Sequence, residues 1–143
     1  MSAEPLQESE ILLRRFQAQD YDRTDRVPAL GAFLPNKSDT DGLSLFRERC
    51  LSAEKLLANA RSQSVRETGG VAAVPVSLLI GLGLTLEPDL ADPDGHVTVK
   101  ELNRADYDSS EEKQDAMKLL ADRLIRLARA GDFVRIHAKP KGA

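Results

Sequence analysis

The run Val71-Ala72-Ala73-Val74-Pro75-Val76 (VAAVPV, residues 71–76) decides how this chain folds. Its residues do not alternate between apolar and polar. An unbroken apolar run of this length reads as a strand buried on both faces. Pro75 lacks a backbone N–H, so that end of the strand lies near an edge or a bend.

Working outward, the preceding SQSVRETGG (62–70) is a loop, and SAEKLLANAR (52–61) before it reads as a helix. Ser52 is its expected N-cap, with Glu54 in the positive first turn and Leu56, Leu57 and Ala60 on its buried stripe. LSLFRE (43–48) alternates: Leu43 and Leu45 share one face, Ser44 and Phe46 the other. ILLRRF (11–16) is too short for periodicity to separate a strand from a piece of helix. AFLP (32–35) is a short extended piece, and NKSDTDG (36–42) is dense in turn formers.

Downstream, SLLIGLGL reads as a short helix capped by Ser77 and ended by Gly81 or Gly83. LEPDLADPDG (86–95) is an acidic loop, HVTVKEL (96–102) an alternating strand, and NRADYDSS (103–110) a linker. Ser109-Ser110-Glu111-Glu112 is a capping box. After it, Met117, Leu120, Leu124 and Leu127 recur at helical spacing, joined by Leu119, Ile125 and Ala128, with Asp122 and Arg126 as a favourable i,i+4 pair. Gly131 is the expected stop, and DFVRIHA (132–138) a last strand. The expected fold is α+β: a small two-layer domain with a mixed sheet of about four to six strands, one long C-terminal helix and one or two shorter ones. Residues 1–9 are expected to form a flexible N-terminus, 10–138 a single globular domain and 139–143 a tail.

Composition narrows the function classes. The 143 residues are 41% hydrophobic and 30% charged, as in ordinary globular proteins. Aromatics are 4%, too few for a stacking surface that binds single-stranded nucleic acid. The net charge of −3 does not favour non-specific binding to nucleic acid or membrane. Charge is nonetheless segregated. Residues 85–116 hold ten acids against three bases, and residues 117–143 hold seven bases against two acids. Cys50 is the single cysteine, which excludes an intrachain disulfide and a cysteine-rich zinc site; it reads as a buried structural residue. The acidic start MSAEPLQESE gives no expectation of a signal peptide, and no apolar run is long enough to span a bilayer. A cytoplasmic location is expected.

Several motifs fall short of a chemistry. Asp92-Pro93-Asp94-Gly95 with Glu101 matches the later positions of a calcium loop, but Leu90 stands at the first ligand position. Asn36–Glu48 fails in the same way, with Lys37 in that place. Gly81-Leu82-Gly83 lacks the third glycine of a dinucleotide loop, where Leu86 stands. His96 and His137 are the only histidines, each on a strand and most simply on an exposed face, with no third neighbouring ligand. No metal and no cofactor are expected.

Two resemblances bear on function. Arg14 or Arg15, Ser44 and Glu101 fall in the order that ADP-ribosyltransferases place an arginine, a serine and a glutamate around NAD. The resemblance implies that these residues would be catalytic. The chain lacks a Ser-Thr-Ser-like triplet, and Glu101 sits at the end of its strand. Separately, Phe33-Leu34-Pro35, Asp41-Gly42-Leu43-Ser44, Gly70-Val71 and the proline loop before His96 resemble a group of short bacterial proteins described only as hypothetical, over about residues 12–99. That resemblance implies no activity. It implies a variable loop before the histidine, and so no metal held by Asp92 and Asp94.

The leading expectation is a non-enzymatic, protein-binding accessory subunit of a bacterial cytosolic assembly, of the kind found in defence or toxin–antitoxin systems. Its expected binding residues are His96, the acidic Asp89, Asp92 and Asp94, and the basic Arg123, Arg126 and Arg129. The alternatives are a small ADP-ribosyltransferase-like enzyme and a nucleic-acid-binding accessory domain using Arg126, Arg129, Arg135, Lys139 and Lys141.

Overall fold

A computed structural model of the chain describes residues 5–17, 21–22, 27–28, 33–35, 39–52, 54–56, 68–131 and 135–136, with side chains described over 5–15, 33–35, 39–52, 54–56 and 71–126. The strands are β1 (Ile11–Gln17), β2 (Tyr21–Asp22), β3 (Val27–Pro28), β4 (Leu43–Arg47), β5 (Thr68–Pro75), β6 (Leu86–Pro88), β7 (His96–Val99) and β8 (Arg135–Ile136). The helices are α1 (Val76–Gly81), α2 (Arg104–Ser109) and α3 (Glu111–Gly131). Six strands form one sheet in the order β6-β7-β4-β1-β5-β8, and β2 pairs with β3 apart from it.

The protein is an α+β domain with the expected number of strands. Within that class every described ladder is antiparallel, where a mixed sheet is expected. The ambiguous ILLRRF is β1, near the middle of the sheet, because its alternate residues are needed on both faces. Leu12 joins Leu43, Leu45, Ala72, Val74, Val97 and Val99 in the main core, under Met117, Ala121, Leu124 and Ile125 of α3. Leu13 joins Val71 and Ala73 in a smaller cluster on the other face, with Leu51 and Leu56. Val71–Pro75 thus lie in a strand covered on both faces, as their composition indicates, but the strand begins at Thr68, inside the stretch expected to be a loop, and Val76 already opens α1.

Local chemistry explains the departures. Ser77 does not cap α1: the helix begins one residue earlier, at Val76, with Pro75 in the cap position, and the first N–H groups, of Val76 and Ser77, donate to the carbonyls of Glu10 and Glu8 (2.9 and 3.2 Å). NRADYDSS is not a linker: Asn103 caps α2 by accepting from the Asp106 N–H at 2.7 Å. The cap of α3 is Ser110, whose Oγ accepts from the Lys113 N–H at 3.2 Å, one residue later than the capping box suggests. The acidic loop contains the edge strand β6, making β6–β7 a hairpin. AFLP forms no described strand; its Phe33 is buried in the main core. Ser52 caps the helical turn at 54–56 as expected, its Oγ accepting from Lys55 N–H at 3.3 Å. Leu57 and Ala60 lie outside the described residues, as do the side chains of Leu127, Ala128 and Arg129. Leu119, expected in the buried stripe of α3, is 66% exposed. Among the described residues no helix is long and apolar enough to cross a membrane.

Candidate functional site

The structure brings Arg14 to the Ser44 backbone, whereas Glu101 is engaged with Thr85. Arg14 lies on the main-core face with Leu12, because residues two apart on a strand share a face. Described pairing of β1 with β4 covers Leu12–Arg47 and Leu13–Phe46, after which β1 continues along β5. Arg14 works at this lapse in the ladder. Its Nη1 donates to the Ser44 carbonyl at 3.1 Å, and its Nη2 to the Asp39 carboxylate at 3.3 Å and the Leu34 carbonyl at 3.4 Å. Arg14 and Asp39 are both buried. The guanidinium therefore braces a gap between strands.

Glu101 is occupied elsewhere. Its Oε1 accepts from the Thr85 N–H at 2.7 Å and its Oε2 from the Thr85 hydroxyl at 2.6 Å, tying the start of β6 to the turn after β7. Burial pushes its pKa up, but the Thr85 hydrogen bonds outweigh it and hold the carboxyl below its ordinary value.

The second face of the sheet carries a different group of side chains. Leu13 pairs with Phe46, Phe46 with His96 and Ser44 with Thr98, so Phe46, Ser44, His96 and Thr98 point the same way as Leu13. His96 Nε2 and Ser44 Oγ are hydrogen-bonded at 3.0 Å, with the donor set by which ring nitrogen holds the proton. The Phe46 and His96 rings lie 5.6 Å apart at 57°. All four residues are half-buried. Arg15, two residues beyond Leu13, belongs to this face and is exposed. His96 is therefore not simply exposed: it is a partly buried cross-strand partner of Ser44.

The aspartates of the β6–β7 loop serve the turn. Asp89 Oδ1 accepts from the Ala91 N–H at 3.1 Å and Asp92 Oδ1 from the Asp94 N–H at 2.9 Å. Gly95 takes φ +72°, and a Cβ there would meet Cys50 Cβ at 2.7 Å. The Asp-x-Asp-Gly pattern thus reports a tight turn. Cys50, expected to be buried, is half-buried against this turn. Among the described residues no group of three or more His, Cys, Asp or Glu side chains is placed to hold a metal ion. On α3, Arg123 and Arg126 are exposed, and Asp122 pairs with Arg126 at 2.7 Å.

The pair that sequence reasoning missed is Arg47–Glu10. Arg47 Nε and Nη2 grip the two carboxylate oxygens at 2.8 and 2.7 Å, and Nη2 also donates to the Pro5 carbonyl at 3.4 Å. Arginine at the end of an alternating strand gives no sign of burial in sequence. No family model, curated protein or solved structure matches the chain.

Proposed function

We propose that the chain is a non-enzymatic, protein-binding accessory subunit whose contacts are made by α3 and the acidic β6–β7 loop. One observation carries the reading: Leu119 is 66% exposed on a helix whose opposite side is core. Arg123 and Arg126 follow it at i+4 and i+7, on the same stripe, and both are exposed. Burying such a leucine in a partner is worth about 1.5–3 kcal/mol. Arg126 shares its charge with Asp122, whereas Arg123 has no ion pair among the described residues. The partner surface that complements this stripe is apolar at its centre and acidic at its rim.

The ion pair of Arg14 and the Thr85 contacts of Glu101 give both residues structural work, which supports a binding role over the transferase alternative. The test is affinity capture with the full chain as bait. Leu119→Gln and Arg123→Glu should each lose a protein that the wild type retains, and wild-type retention should fall steeply with added salt. Retention unchanged by both variants would end the proposal.

A further inference from the structure

We propose that the exposed stripe of α3 docks against the same stripe of a second copy of this chain, in an antiparallel pair with Leu119 on the two-fold axis. The inference rests on the reading of α3 as a contact surface and names its partner. The order of charge along the helix carries it. Glu112, Asp115, Ala116, Leu119, Arg123 and Arg126 are all exposed. The other five lie three, four or seven positions from Leu119, which keeps them on its side of the helix. The acids precede the leucine and the arginines follow it.

A closed two-fold dimer requires a patch that complements itself. This stripe does so about Leu119. Asp115 and Arg123 lie four residues to either side of it, and Glu112 and Arg126 seven residues to either side. At the rise of an α-helix these offsets are about 6 and 10.5 Å along the axis. A second helix turned end for end about Leu119 therefore sets Arg123 level with the other copy's Asp115, and Arg126 level with its Glu112. Each contact occurs twice by symmetry. Asp122 comes level with Ala116, so no like charges meet. A parallel pairing would instead set each charge against its own kind. The two leucines meet at the centre, where the small Ala116 permits close approach.

The stripe is positioned and charged for this contact. Met117, Ala121, Leu124 and Ile125 hold the opposite side of α3 in the main core, which fixes the stripe outward. Glu112, Asp115 and Arg123 have no ion pair among the described residues. Arg126 is held by Asp122 of its own helix at 2.7 Å, so Asp115–Arg123 should carry more of the attraction than Glu112–Arg126. The stripe from Glu112 to Arg126 is about 21 Å long. A contact of one helix against another belongs at the small end of stable interfaces, so the dimer should dissociate on dilution.

The experiment is sedimentation velocity of the full chain from about 1 μM to about 1 mM. The wild type should pass from monomer to dimer as concentration rises, and added salt should shift it back. Leu119→Gln should weaken the dimer about a hundredfold, since each copy contributes one leucine worth about tenfold. Asp115→Lys and Arg123→Glu should each weaken it about tenfold or more, because each sets like charges together twice. Mixed in equal amounts, these two variants should form a heterodimer, in which both contacts again join opposite charges. The double variant D115K/R123E should self-associate as the wild type does. Circular dichroism matching the wild type establishes that the variants are folded. A wild type that stays monomeric, a dimer indifferent to these variants, or a mixture that forms no heterodimer would overturn the proposal. A monomer whose Leu119→Gln variant still loses a captured protein would overturn it while leaving the accessory reading intact. A dimer that captures no other protein would uphold it and end that reading.

Discussion

Replacing Arg47 with methionine tests how the N-terminal segment is held to the sheet. Arg47 is 2% exposed and grips both oxygens of Glu10, whose side chain is 10% exposed. Methionine keeps most of the buried volume but leaves a nearly buried carboxylate without its two-pronged guanidinium partner. Removing one member of such a pair costs about 3–5 kcal/mol, against a total stability of about 5–15 kcal/mol for a domain. The pH dependence gives a second reading. Burial raises the Glu10 pKa, but the Arg47 hydrogen bonds, the Gln7 N–H and the charges of Arg47 and Arg49 outweigh it and hold it below the ordinary 4.5. A lowered folded-state pKa contributes stability that is present above the unfolded value and lost as pH falls through the folded one. The wild type therefore loses this contribution on acidification below about 4.5. In R47M the Arg47 contributions are gone while the Gln7 N–H and the Arg49 charge remain, so Glu10 takes up its proton more readily than in the wild type and the variant loses less. The gap between the two proteins should narrow as pH falls. Urea unfolding at neutral and acidic pH, with the m-value checked for two-state behaviour, measures both effects. The double variant E10Q/R47M should recover to within about 1–2 kcal/mol of wild type, because no uncompensated charge remains. A neutral-pH cost for R47M below about 1 kcal/mol, or a gap that does not change with pH, would refute the reasoning.

Two glycines should resist substitution. Gly42 has φ +152°, and a Cβ there would collide with the Val99 carbonyl oxygen and meet Thr98 Cγ2 at 2.6 Å, so G42A should cost about 3 kcal/mol or more in urea unfolding. G95A combines φ +72° with contact against Cys50 and should lower the melting temperature similarly, whereas G81A, with open space around its Cβ, should not. Losing the two Thr85 hydrogen bonds in E101A should cost about 1–3 kcal/mol and speed amide exchange at Thr85. Millimolar NAD should produce no heat in calorimetry, and a saturable NAD signal abolished by E101A would restore the transferase alternative.

The fold was largely legible because the strongest patterns are local. VAAVPV, LSLFRE and HVTV carry their burial in their composition or alternation, and each is a strand. The helix after Ser110 shows its core face through Met117, Leu124 and Ile125. Short elements were harder to read. Strand β6 has three residues and is stabilised by β7 opposite it, and α2 has six residues hung from an asparagine cap. Neither carries enough periodicity to stand out from a loop. Leu119 fits a helical apolar stripe by spacing alone, and only the position of the sheet shows that it points away from the core.

The candidate site was less legible. Sequence alone shows that Ser44 and Phe46 share a strand face and that His96 and Thr98 share another, because side chains alternate along any strand. It cannot show that these two faces are the same face, since that depends on the β4–β7 register. Adjacent Arg14 and Arg15 are chemically equivalent in sequence. Strand geometry sends them to opposite faces, and the tertiary structure decides which one is buried. Asp39 awaits Arg14 where β1 parts from β4, so that arginine becomes a brace and the other keeps its charge available at the surface. Local composition determined the strands and the main helix; long-range register determined which polar side chains meet, because such contacts join residues 25 to 52 positions apart.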